Sequence, residues 1–287
     1  MRNTCHVTMY PTADQPVAVF DSGVGGLTVL HELLVALPAE DYLYFGDTER
    51  FPYGDRSSAE LIEFSDEIAH YLLDSGAKLI VIACNSATAA ALEHLRGRLA
   101  TEGREVDVIG VIEPESVIAA ARTRSGRIGL LATNATVTSG AYERAVMTAD
   151  PHTRLTSVAC PDLAPIIQAG GAIDEQLVSV VRSYCEPLRD ADVDTVILGC
   201  THYPLVRPLL QRMLGPDVAI VTSGDAVARR VEHALSVRGL RSANSGEGSY
   251  RFACSGSADQ FKSVGERFLQ LPLGEVERVK IGKGESE

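Results

Sequence analysis

The 287-residue sequence lacks several features that would each point to a function. It has no apolar run near the ~18 residues that a bilayer-spanning helix needs, so no membrane partner is expected. Positive charge is scarce. The 26 Lys and Arg stand against 38 Asp and Glu, a net charge of −12. Phosphate binding needs a basic face, so nucleic acid is not an expected partner either. Six cysteines, at positions 5, 84, 160, 185, 200 and 254, contain no C-x-x-C pair, and neither a zinc knuckle nor a thioredoxin-like motif is written. The first residues, 1–16, carry Arg2, Asn3, His6 and Asp14 with no apolar core. That is not a signal peptide, so the expectation is a flexible tail, a cytoplasmic compartment and free thiols.

The glycines of Asp21-Ser22-Gly23-Val24-Gly25-Gly26 fail the dinucleotide frame, which needs glycine where Thr28 stands. No G-K-[S/T] follows, so a phosphate-cradling loop is absent too. Their expected role is a tight strand-to-helix turn that needs permissive backbone. The acid excess adds one constraint: an anionic substrate must be held locally, by backbone N–H groups, hydroxyls and helix starts.

What is present is a pair of rhyming stretches. Leu79-Ile80-Val81-Ile82-Ala83-Cys84-Asn85-Ser86 and Thr195-Val196-Ile197-Leu198-Gly199-Cys200-Thr201-His202 are each an apolar run ending on a cysteine. Short aliphatic runs without polar alternation read as strands buried on both faces of a parallel sheet. Helix-like sequence follows each, so each thiol falls at a strand's carboxyl end and just ahead of a helix start. Open α/β sheets place ligands there, and a helix start favours thiolate over thiol.

Strands and helices alternate along the whole chain. Strands are expected at Val17–Phe20, Tyr42–Phe45, Val106–Val111, Arg127–Ala132, Thr153–Ala159 and Val218–Val221, besides the two cysteine strands. Ser57 and Glu60 form an expected capping box for a helix through Ser75. Pro114 opens a helix to about Thr123. No element is expected between Gly140 and Thr153. A last strand, helix and short strand fall between Tyr250 and Ile281. The pattern restarts near residue 112. The fold class is therefore α/β, with two pseudo-symmetric three-layer domains on mainly parallel sheets and the site in the cleft between them.

A lone cysteine after a strand is more often packing than chemistry. The shared surroundings lift Cys84 and Cys200 above that, because Asn85, Ser86, Thr201 and His202 can all hydrogen-bond a ligand. Cys5, Cys185 and Cys254 go to tail or core, and Cys160 to structure. His202 lies two residues from Cys200, so along extended backbone both face one way. That fits a thiol–imidazole couple, half a metal site or a satisfied histidine, and metal is the weaker option because only one further cysteine could join. Asp21 could serve Cys84 as His202 serves Cys200, or simply cap the following helix. Two thiols in matched places suit inversion of a chiral α-carbon. One base removes a proton from one face while an acid delivers one to the other. A cysteine hydrolase using Cys200 and His202 competes with this reading, but would not need Cys84.

Jointly, Phe20–Thr28, Gly46-Asp47-Thr48 with Pro52-Tyr53-Gly54, Ala83–Thr88, Gly110–Pro114 and Leu198–Pro204 resemble the bacterial glutamate racemases of the cofactor-independent aspartate/glutamate racemase superfamily. The resemblance runs from about Val17 to Ser236. It implies interconversion of L- and D-glutamate for peptidoglycan synthesis without a cofactor, or, as the alternative, racemisation of aspartate or another amino acid. It makes Cys84 and Cys200 the proton donor/acceptors and Asp21 and His202 their assistants. Ser22, Tyr53, Gly54, Asn85, Ser86, Thr133, Thr136 and Thr201 would line the substrate site with them, with no metal. The family's inserted second domain implies a first domain of 17–112 with 225–287 and a second of 113–224. Two departures stand out. Ser86 replaces the usual threonine and keeps the hydroxyl, and Gln168 stands where the family often has glutamate, which leaves that position without an acid/base role. A homodimer is left open, since nothing in the sequence marks an interface.

Overall fold

The computed structural model describes residues 10–171 and 173–282. Cys5, and with it most of the expected tail, lies outside the described residues. From Val17 the chain runs β1 (Val17–Asp21), α1 (Leu27–Ala36), β2 (Tyr42–Gly46), α2 (Ser58–Asp74), β3 (Leu79–Ile82), α3 (Asn85–Thr101) and β4 (Asp107–Gly110). After α4 (Ile112–Arg122) come β5 (Arg127–Ala132), α5 (Asn134–Thr138), α6 (Ala141–Ala149), β6 (Arg154–Ala159), α7 (Leu163–Ala169) and α8 (Glu175–Asp190). Then follow β7 (Thr195–Gly199), a 3-10 turn (Tyr203–Val206), α9 (Arg207–Leu214), β8 (Ala219–Val221) and α10 (Ser223–Arg238). The chain closes with β9 (Tyr250–Cys254), α11 (Ala258–Leu269) and β10 (Val276–Arg278).

These strands make two sheets, of order β10-β9-β2-β1-β3-β4 and β6-β5-β7-β8. All strand pairs in both are parallel. The block β2-β1-β3-β4 and the block β6-β5-β7-β8 share one winding, with β3 and β7 as counterparts. In each, the connections go to opposite sides of the first strand, which opens a crevice at the carboxyl ends of β1 and β3, and of β5 and β7. The two cysteine strands occupy the same place in two copies of one topology.

Burial explains the missing alternation. Along β1, Val17 and Val19 enter one apolar cluster with α1, while Ala18 and Phe20 enter another with α2 and α3. Both faces of the strand are covered, so every position is apolar. The first cluster continues without a break through α10 and α4 into the second sheet. The two lobes are thus joined along α1, α10 and α4, beside the two crossings of the chain at Val111–Ile112 and Thr222–Ser223.

Local signals account for several helix starts. Ser57 accepts from Glu60 N while the Glu60 carboxylate accepts from Ser57 N, completing the capping box. Asp174 caps α8 through Leu177 N, and Pro114 sits in the first turn of α4. Two elements were not expected. Helices α5 and α6 fill the stretch after Thr133. The turn between them needs Gly140, whose φ of 64° is left-handed.

The glycine expectation after β1 requires correction. Gly23, Gly25 and Gly26 do not use left-handed backbone, and Gly26 has φ −62°. Gly25 and Gly26 are glycines because nothing larger fits. A Cβ on Gly25 would lie 2.3 Å from Thr201 Oγ1 and 2.6 Å from His202 Nδ1. On Gly26 it would lie 2.6 Å from Asp21 Cβ and 2.9 Å from Ala83 Cβ. Close approach of the other lobe at Gly25, and tight packing within the first lobe at Gly26, set these two residues rather than backbone freedom.

Candidate active site

Asp21 ends β1 and Ser22 follows it; Cys84 follows β3 and is the N-terminal cap residue of α3. In the other lobe Thr133 follows β5 and caps α5, and Cys200 follows β7. The two crevices face each other across one narrow cavity, and both Cys84 and Cys200 line it.

The remaining expected residues fall into three groups. Ser22, Gly54, Asn85, Ser86, Thr201 and His202 line the same cavity, as does Thr133. Two lie behind its wall. Asp21 is fully buried, accepting from Gly23 N (3.0 Å) and from Thr201 Oγ1 (3.2 Å). Thr136 is buried behind Ser86 and Thr133, 3.2 and 3.1 Å from their hydroxyls. Ser86 and Thr133 are themselves 2.9 Å apart, so a hydroxyl cluster bridges the lobes at the start of α3. Tyr53 is the third case. Its ring lines the cavity, but its hydroxyl donates to Asp47 Oδ2. Asp47 also accepts from Arg50 Nε (2.6 Å) and Ser255 Oγ (2.7 Å). The phenol is committed to holding the loop.

Asp21 does not cap α1: the cap position is Gly26, and the carboxylate instead accepts from the turn that precedes it. Nor do Cys200 and His202 share an extended backbone. His202 is helical in φ/ψ (−80°, −33°), and the turn brings its Nδ1 to 3.9 Å from Cys200 Sγ.

The expected thiolate bias is also overturned. Burial pushes the Cys84 thiol up to about 12, with the nearby Asp21 carboxylate adding to the shift and the Ala87 N–H at the start of α3 opposing it. Burial likewise raises Cys200 well above the ordinary thiol range, against the His202 N–H. A helix start offers a fraction of a charge; removing a sulfur anion from water costs more. Burial raises Asp21 to about 6 and depresses His202 to about 3, with Arg267 adding to the depression. His202 is therefore neutral.

Two residues that sequence reasoning left out belong here. Gln168, on α7, accepts from His202 Nε2 at 2.9 Å. With the proton fixed on Nε2, Nδ1 carries the lone pair and faces Cys200. No acid/base chemistry is needed for that, only an acceptor. Phe51 supplies an apolar wall and lies 5.5 Å from the His202 ring, centroid to centroid. Nothing in the sequence around Phe51 distinguished it from loop packing.

Among known proteins, the Asp/Glu/hydantoin racemase family model matches residues 28–231. The glutamate racemase of Listeria innocua is 41% identical over 269 residues, covering 94% of this chain and 99% of the relative. The crystal structure of a glutamate racemase from Bacillus anthracis superposes with a TM-score of 0.86 at 36% identity, over 93% of this chain and 97% of that one. The Francisella tularensis glutamate racemase, solved with D-glutamate, gives a TM-score of 0.85 at 31% identity, over 93% and 98%. This chain belongs to the Asp/Glu/hydantoin racemase family, with the glutamate racemases as its relatives there.

Proposed function

We propose that this protein interconverts L- and D-glutamate by proton transfer at the α-carbon between two thiols, one from each lobe. The observation that carries the reading is a single cavity bounded by Cys84 from one copy of the topology and Cys200 from the other. A planar, deprotonated α-carbon held between them has one sulfur on each face. Whichever thiol is ionised removes the proton; the other, still protonated, supplies one to the opposite face, and the roles exchange for the reverse reaction.

Burial makes both thiols resist ionisation, so the substrate must help. Its ammonium, brought near Asp21, offsets the carboxylate charge that opposes a Cys84 thiolate. On the other side the neutral His202 turns the lone pair of Nδ1 toward the Cys200 thiol, its tautomer held by Gln168. The first N–H groups of α3 and the hydroxyls of Ser86 and Thr133 are placed to take the α-carboxylate, whose oxygens gain charge as the proton leaves. Ser22, Thr201 and Gly54 line the remainder, with Thr136 supporting the hydroxyl cluster from behind.

The same reading assigns residues 17–112 with 225–287 to one domain and 113–224 to an inserted second, and makes D-glutamate for peptidoglycan the product in the cell. Both are supported by the resemblance to glutamate racemases, and the domain limits also by the two crossings of the chain beside α4 and α10.

Cys84→Ala and Cys200→Ala are each expected to lower glutamate racemisation by at least about a thousandfold, as loss of a proton-transfer group of this kind does. Full racemisation by either variant would rule the scheme out. Turnover of enantiopure aspartate at or above the glutamate rate would select the aspartate reading instead.

A further inference from the structure

One buried carboxyl group is used by none of this chemistry. Glu115 lies in the first turns of α4, just past the first crossing between lobes, and is fully buried. Three donors from three other elements converge on it. Ser223 Oγ, just past the second crossing, donates to Oε1 at 2.5 Å. Tyr142 on α6 donates its hydroxyl to Oε2, and Asn85 Nδ2 on α3 reaches the same oxygen at 3.4 Å. Asn85 Nδ2 also donates to the Tyr142 oxygen at 2.7 Å. Asn85 is the member that lines the substrate cavity, and it is 3% exposed. The amide nitrogen is committed to this network, through a hydrogen shared between the Tyr142 and Glu115 oxygens. Its Oδ1, by contrast, is buried with no partner.

A buried, unpartnered amide oxygen is costly unless a ligand completes it. We infer that Glu115 is a positioning residue for substrate binding, holding the Asn85 amide with its nitrogen turned into the protein so that Oδ1 is a pre-set acceptor for the ammonium group of the bound amino acid. Glu115 commits the Tyr142 hydroxyl hydrogen to itself. The phenol oxygen is then left to accept from Asn85 Nδ2, which fixes which end of the amide faces inward. Without the carboxyl, the Tyr142 hydroxyl is free to donate to Asn85 Oδ1. The amide turns over and presents a donor to a cationic group. Because the four side chains come from both lobes and from both crossings, the network also ties the amide to the seating of one lobe on the other.

This inference rests on the racemase reading, and one experiment separates the two. Steady-state kinetics with L- and with D-glutamate are compared for the wild-type chain, E115L, E115Q and Y142F. Loss of one oriented hydrogen bond that the ground and transition states share raises KM and leaves kcat alone. For E115L and Y142F the expected rise in KM is about three- to tenfold for both enantiomers, the range of one ordinary hydrogen bond, with kcat within about twofold. E115Q restores KM relative to E115L, because its Oε1 still accepts from Tyr142 while its amide nitrogen donates to Ser223 Oγ. If E115L does not fold, Y142F and E115Q carry the comparison. Wild-type KM in Y142F, or an E115Q KM raised as far as in Y142F, would overturn the positioning role while leaving the racemase reading intact. No glutamate turnover by the wild-type chain would overturn both.

Discussion

At residue scale the cleft is organised by what burial does to four ionisable groups. Asp21 illustrates the sign. Its carboxyl is raised to about 6 in the fold from an ordinary 3.8, because burial outweighs the N–H and hydroxyl groups that favour the anion. Below about pH 4 it is protonated whether folded or not and costs little. Between about 4 and 6 the unfolded chain ionises first, so the fold loses stability as pH rises, and above 6 the full cost is present. Asp21→Asn keeps an acceptor for Gly23 N, while its amide nitrogen donates to Thr201 Oγ1, whose hydroxyl turns from donor to acceptor. The variant is expected to be the more stable protein at pH 7, by about 1–3 kcal/mol, to lose that advantage near pH 4, and to racemise poorly. Denaturant unfolding at the two pH values checks this, and equal stability at pH 7 would contradict the burial argument. His202 works the other way: depressed to about 3, it draws stability out of the fold as pH falls below 6.5. Gly25 offers a separate test. Gly25→Ala places a methyl group against Thr201 and His202, so kcat/KM is expected to fall at least about tenfold, because small displacements of positioning groups are costly to rate.

At element scale, the cysteine strands, the capping box at Ser57 and most strand limits were legible in the sequence, for a physical reason. Strands buried on both faces must be continuous aliphatic runs, and a cap must carry a hydroxyl and a carboxylate three residues apart. Helix α6 was not legible because only Tyr142 and Val146 on it are fully buried, too sparse a stripe to show a period. The role of Gln168 was hidden differently. A hydrogen bond to a histidine 34 positions away is set by how α7 meets the turn after β7, and no local pattern records it. The Ser57 cap predicts that Ser57→Ala lowers stability by about 1 kcal/mol with activity unchanged. On α3, by contrast, a Cβ on Gly97 meets nothing within 4 Å. Gly97→Ala is expected to raise stability by about 0.5–1 kcal/mol, again without effect on turnover. Thermal denaturation of the two single variants reads both signs.

At the scale of the whole molecule, the lobes meet over more than the cavity. Near its mouth Ala135 N donates to Gly54 O at 2.8 Å and Asn134 Nδ2 to Asp55 Oδ1 at 2.8 Å. On the other side Arg267 of α11 donates to the Ile167 carbonyl at the end of α7. Far from the site, at the base of the larger sheet, Lys78 and Glu40 form a buried ion pair of 2.6 Å, with the ammonium also donating to Ala13 O. Lys78→Met would leave the Glu40 carboxylate buried without its counter-charge and is expected to cost about 3–5 kcal/mol. A loss under 1 kcal/mol in chemical unfolding would contradict that assignment. Strands that repeat one winding twice account for why the two thiols arrive opposite each other: each is delivered by the same step of the same topology.

The most direct test of that symmetry is the fate of the α-hydrogen at early times in deuterated water, followed by mass spectrometry in both reaction directions. Transfer between two thiols, each exchanging with solvent, predicts that newly formed enantiomer carries deuterium from its first turnovers while unreacted substrate does not. Product that keeps the substrate's own α-hydrogen would mean that one group serves both faces, and would contradict the account.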